Sequence, residues 1–92
     1  MLYHVTEAKN VDSIMRNGLI PMIGERSRQA HETIPYVYLF HSFDDVHDAI
    51  MNWLDIEDFA VLSVDIKEYT VNGFEVLVNK TISPQYISII GM

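Results

Sequence analysis

The chain contains no cysteine among its 92 residues. That one absence removes disulfide staples, zinc–cysteine sites, iron–sulfur clusters and cysteine nucleophiles. Whatever fold forms must be held by non-covalent packing alone. At this size roughly 64% of the unfolded chain's surface can be buried, enough for one modest core and no second one. Residues 1–92 are therefore expected to form a single domain. The hydrophobic share of 49% excludes a disordered acidic tail, although 13 acidic against 6 basic residues leave a net charge of -7. Such a balance argues against direct binding to a nucleic-acid backbone, which needs a basic face. It suits a soluble protein, a basic protein partner, or mimicry of a polyanion. No stretch reaches the roughly 18 apolar residues of a membrane span. Met1 to Thr6 has no basic region followed by a long apolar run, so no signal peptide is expected. A cytoplasmic location follows as an expectation. Small size and acidity also fit a protein encoded by a mobile element and acting in a host cytosol.

Short apolar runs separated by turn signals set the expected architecture. Leu2 to Val5 reads as a first strand. Thr6 or Asn10 is placed to cap a helix carrying Val11, Ile14 and Met15 at helical spacing. Gly18 suits the left-handed position after that helix, and Pro21 forbids its continuation, so Leu19 and Ile20 are expected to fold back onto the core. Residues 22–35 read as a loop, in which Arg26 and Arg28 form a local excess of positive charge and a candidate anion site. Two solvated arginines offset by Glu25 and Glu32 would look the same. Tyr36 to Phe40 is a buried strand. Ser42 with Asp45 three residues on has the form of a capping box for a helix whose apolar stripe is Phe43, Val46, Ile50, Trp53 and Leu54. Phe59 to Ile66 is another strand. Asn72-Gly73 is a hairpin signal leading into a strand from Phe74 to Ile82, in which Glu75, Leu77 and Asn79 share one face. Ser83-Pro84 breaks that strand, and Tyr86 to Ile90 is a last apolar run. The order β-α-loop-β-α-β-β-β is α+β, with a mainly antiparallel sheet and two helices.

Most familiar chemistries find no residues here. His4, His31, His41 and His47 lack the spacing of a helical metal motif, and a capped acidic helix start explains the group around His47 and Asp48, so no metal is expected. No Gly-x-Ser-x-Gly elbow and no glycine-rich phosphate cradle occurs. What stands out is His4 inside an apolar strand, Tyr38 central in another, and Glu75 at the start of a third. Taken singly, each is ordinary.

Taken together and in this order, they resemble the ADP-ribosyltransferase-like superfamily, which includes poly(ADP-ribose) polymerases, RNA 2′-phosphotransferases and DNA-targeting ADP-ribosyltransferase toxins. Leu2-Tyr3-His4-Val5-Thr6 followed by a helix and Asn17-Gly18-Leu19-Ile20-Pro21 looks like its opening. Val37-Tyr38-Leu39-Phe40 and the following helix with Ala49 looks like its second motif. Phe74-Glu75-Val76-Leu77-Val78 through Ile82-Ser83-Pro84-Gln85-Tyr86-Ile87 resembles its third. The resemblance implies a split sheet with one cleft, and NAD as substrate or ligand. It implies that His4 binds the nicotinamide ribose, that the backbone at Val5 and Thr6 holds the carboxamide, and that Tyr38 stacks on the nicotinamide. Glu75 would contact the ribose 2′-hydroxyl and stabilise positive charge developing on the sugar. Arg26 or Arg28 would reach the pyrophosphate.

Two departures give a second reading. Val5 stands where the polymerases carry glycine, and the chain is short for a catalytic member. The alternative is therefore a non-catalytic acidic inhibitor on the same fold, which docks a basic, nucleic-acid-handling protein or sequesters a nucleotide. A third reading is self-association through Met22, Ile23, Ile89, Ile90 and Met92, should they be exposed.

Overall fold

A computed structural model describes residues 1–22, 35–52, 54, 57–73 and 75–91. The described elements run β1 (Leu2–Glu7), a 3₁₀ turn (Ala8–Asn10), α1 (Val11–Asn17), β2 (Val37–Phe40), α2 (Phe43–Asn52), β3 (Phe59–Val64), β4 (Thr70–Asn72), β5 (Glu75–Val78), a second 3₁₀ turn (Pro84–Tyr86) and β6 (Ile87–Gly91). The six strands form one sheet in the order β4-β5-β2-β1-β3-β6, and every neighbouring pair is antiparallel. The protein is thus a small α+β domain with two described α-helices, as its residue pattern predicts.

Alternation along the strands divides the core between the two faces of the sheet. Leu2, Val37, Leu39, Leu62, Val64, Val76, Val78 and Ile87 project to one face and pack with Ile14 of α1, Leu19 and Ile82. Phe40 and Val61 project to the other, where Val46 and Ala49 of α2 cover them, with Tyr3, Val5, Ile50 and Phe59 around the margin. Each helix therefore seals one face. The α2 stripe is as expected at Val46, Ile50 and Leu54, with Ala49 buried beside them, but Phe43 is 54% exposed, its ring meeting Tyr3 at 4.6 Å between centroids. Trp53 lies outside the described residues. Ser42 Oγ accepts a hydrogen bond from the Asp45 N–H at 3.2 Å, which is the expected cap.

Several boundaries differ from the sequence expectation. The segment before Asn72 is a strand, β4, because a two-residue hairpin loop needs a partner on both sides; Asn72 pairs with Glu75. In the turn after Asn72, Gly73 has φ 66°. The strand expected to run to Ile82 ends at Val78. Ile82 instead exchanges hydrogen bonds with Leu19, at 3.0 and 2.9 Å, in a bridge that ties the segment after α1 to the far end of the chain. Leu19 is buried there, whereas Ile20 is 55% exposed. Neither Thr6 nor Asn10 caps α1 with its side chain; Asn10 Nδ2 donates back to Thr6 Oγ1 at 3.4 Å.

The sheet is not evenly knitted. β1 and β3 are in register over Leu2 to Glu7, while β1 and β2 share only the pair Tyr3 and Phe40. Beyond that pair β1 and β2 diverge, and a side chain fills the gap.

Candidate functional site

His4 sits at the divergence. In a continued ladder the carbonyl of Tyr38 would accept from a backbone N–H of β1. Here it accepts from the imidazole Nδ1 of His4 at 2.8 Å. A carbonyl can only accept, so Nδ1 carries the proton and the neutral ring presents Nε2 as an acceptor. Burial pushes the His4 pKa below its ordinary value of 6.5, against the smaller upward effect of the Tyr38 carbonyl. At neutral pH the ring is therefore uncharged, with its tautomer fixed by the backbone. Among the described residues Nε2 has no hydrogen-bond partner.

A cavity of about 400 Å³ opens beside it, on the face covered by α1. Its apolar wall includes Ile14, Leu19 and Val37, and its polar residues include His4, Thr6, Asn10 and Ser13. Thr6 is buried and accepts from Asn10, and Ser13 Oγ accepts from Asn17 Nδ2 at 3.5 Å. Gly18 forms part of the wall. Exposed Ile20 and Met22 stand at its rim. A hydroxyl-bearing ligand with an aromatic or apolar portion matches this lining: hydroxyl donors for Nε2 and the Thr6 and Ser13 hydroxyls, and a flat ring for the aliphatic wall.

The residues singled out in the sequence do not all converge here. His4, Thr6 and Tyr38 line the cavity. Val5 points to the opposite face, where it packs with the α2 cluster. Glu75 is not among the lining residues. It is half-buried and pairs with Phe40, while Tyr38 pairs with Leu77, so the Tyr38 and Glu75 side chains are diagonal neighbours on the α2 face of the sheet. His4, in step with Leu2 and opposite Leu62, leaves the α1 face. Arg26 and Arg28 lie outside the described residues, as does His31. Among the described residues no cluster of three His, Asp or Glu side chains is arranged to hold a metal ion. The sequence reading missed Ser13, Asn10 and Gly18 as cavity residues. For Ser13 the available signal was its i, i+4 spacing with Asn17, which puts both on one side of α1.

The charge state of His4 makes a prediction about stability. Its native pKa lies below 6.5. Between that native value and about 6.5 the unfolded chain binds a proton that the native protein does not, so stability rises with pH across this window. Acidification below about pH 6.5 should lower the melting temperature until the native pKa is reached. His4→Gln keeps an N–H for the Tyr38 carbonyl and does not titrate. Its melting temperature should fall less steeply over the same range, and equal slopes for both proteins would contradict the prediction. Compared with models of protein families, with curated proteins and with solved structures, the chain matches none.

Proposed function

We propose that this domain binds NAD or a related nucleotide in an ADP-ribosyltransferase-like cleft, with His4 accepting a hydrogen bond from a ribose hydroxyl. The observation that carries this reading is the His4 imidazole, fixed by the Tyr38 carbonyl, in the lining of the cavity. A neutral ring of defined tautomer accepts from a sugar hydroxyl without reorganising. The opening between β1 and β2 supports the split-sheet reading of the fold. The motif order of His4, Tyr38 and Glu75 supports the choice of NAD.

Binding is better supported than cleavage. Breaking the nicotinamide–ribose bond develops positive charge on the sugar, which a nearby carboxylate must stabilise. Glu75, the carboxylate in family order, lies on the other face of the sheet and outside the cavity lining. The protein thus reads as a nucleotide-holding member of the fold.

Calorimetric titration with NAD and with ADP-ribose tests this, run alongside chromatographic detection of free nicotinamide. Wild type should bind, His4→Ala should weaken binding by about tenfold or more, and Glu75→Gln should bind as wild type. No nicotinamide should accumulate. Absence of heat with both ligands removes the nucleotide reading. Nicotinamide release that disappears in Glu75→Gln replaces it with transferase or glycohydrolase chemistry.

A further inference from the structure

The cavity beside His4 selects its ligand by charge. Among the described residues that line it, none is Asp, Glu, Lys or Arg, and the polar residues His4, Thr6, Asn10 and Ser13 are uncharged. A phosphate needs the opposite surroundings, because its charge is costly to desolvate unless cationic donors meet it. The described basic side chains are engaged elsewhere. Lys9 pairs with Glu7 at 3.1 Å, Lys80 with Glu68 at 3.9 Å, and Arg16 Nε donates to the Asp12 carbonyl of its own helix at 3.3 Å. Lys67 lies between β3 and β4, outside the lining. The net charge of -7 adds a field that repels an incoming phosphate.

What the lining offers suits sugar hydroxyls and a flat base. His4 and Thr6 leave the same face of β1 two residues apart, about 7 Å along the strand. The neutral His4 ring, with its proton on Nδ1, is an acceptor. Thr6 Oγ1 takes a hydrogen bond from Asn10 and Ser13 Oγ one from Asn17, so each hydroxyl keeps a proton to donate. Adjacent hydroxyls of a sugar donate and accept at once, and can meet an acceptor and donors together. Buried Ile14, Leu19 and Val37 form a wall for a planar base. At about 400 Å³ the cavity lies toward the lower end of small-molecule sites, which run from about 300 to 1,000 Å³. That is room for one sugar and one base, not for a whole dinucleotide.

We infer that the cavity holds one uncharged nucleoside, sugar and base together, and leaves any 5′-phosphate outside in solvent. The inference rests on the nucleotide reading above and narrows it. A free nucleoside is a sufficient ligand, and phosphates add repulsion from the acidic chain without adding contact. Of the two halves of NAD, adenosine is uncharged and nicotinamide riboside is a cation, so adenosine is the half held. The bond to nicotinamide then lies away from the cavity, in keeping with binding without cleavage.

Calorimetric titration with adenosine, AMP, nicotinamide riboside and dideoxyadenosine, at low and at high salt, tests the inference. Adenosine should bind at least as tightly as AMP, and salt should bring AMP closer to adenosine by screening the repulsion. Nicotinamide riboside should bind more weakly than adenosine, and dideoxyadenosine, which lacks both sugar hydroxyls, about fivefold more weakly. Thr6→Val should weaken adenosine by a similar factor and leave dideoxyadenosine nearly unchanged. Ser13→Ala, at an exposed position on α1, makes the same comparison should Thr6→Val fail to fold. AMP at least tenfold tighter than adenosine, with a gain that shrinks in salt, overturns the inference and leaves the nucleotide reading standing. So does a preference for nicotinamide riboside, or dideoxyadenosine binding as well as adenosine. Adenosine binding without NAD or ADP-ribose keeps the inference and ends the dinucleotide reading, and absence of heat with all of them ends both.

Discussion

Gly18→Ala should destabilise the protein by about 3 kcal/mol or more, one of the largest effects expected of a single methyl group here. Two independent costs add. Gly18 has φ 89° and ψ -180°, a backbone region open to glycine and closed to residues with a Cβ. A Cβ at this position would also fall inside the contact envelope of the Ile82 carbonyl oxygen, with Ile82 C at 3.1 Å and Thr81 Cγ2 at 3.3 Å. Those atoms cannot retreat cheaply, because Ile82 exchanges two backbone hydrogen bonds with Leu19, the residue next to Gly18. Urea unfolding with an unchanged slope and a lowered midpoint is the expected result. Since Gly18 also forms cavity wall, the nucleotide binding we propose should also weaken in any surviving native population. A midpoint within error of wild type would show that the bridge yields.

Leu39→Ala should cost roughly 3–4 kcal/mol, in the upper part of the range for buried leucines. Leu39 is fully buried on β2, between β1 and β5 and under the α1 layer, so no surface loop can collapse into the space it leaves. Its neighbour along the strand supplies the carbonyl that holds His4. The same substitution should therefore loosen the imidazole and weaken the nucleotide binding we propose, although Leu39 does not line the cavity. Ile20→Ala, at a rim position 55% exposed, should change stability by less than about 0.5 kcal/mol. Denaturant titration of the two variants side by side measures the contrast.

Much of the fold was legible because each element announces itself locally. Val46, Ala49 and Ile50 fall on one helical stripe, Ser42 and Asp45 form a cap, and Val76 and Val78 alternate with Glu75 and Leu77. β4 was hidden because Thr70 to Asn72 is short and two of its three residues are polar. The premature end of β5 was hidden because Ile82 looks like a strand residue; it is one, but its partner is Leu19, a contact that no local pattern encodes.

The candidate site was legible only in part, for a reason that lies in strand pairing. Sequence alone marked His4, Tyr38 and Glu75 as polar residues at the expected places along three strands. Which face each side chain leaves depends on register, and a shift by one residue reverses it. The pair Tyr3 and Phe40 puts His4 on the α1 face, and Tyr38 with Glu75 on the α2 face.

By itself, then, the sequence determined one cysteine-free α+β domain, its strand and helix alternation, its acidity, and a histidine buried in an apolar strand. These follow from composition and from periodicities of two and 3.6 residues, which are local properties of the chain. Tertiary structure alone decided that β1 and β2 part after one residue pair, that the Tyr38 carbonyl fixes the tautomer of His4, and that His4 lines a cavity while Glu75 does not. Those outcomes rest on contacts between residues 34 or more positions apart, whose geometry is set by how the whole sheet packs and by no nearby residue.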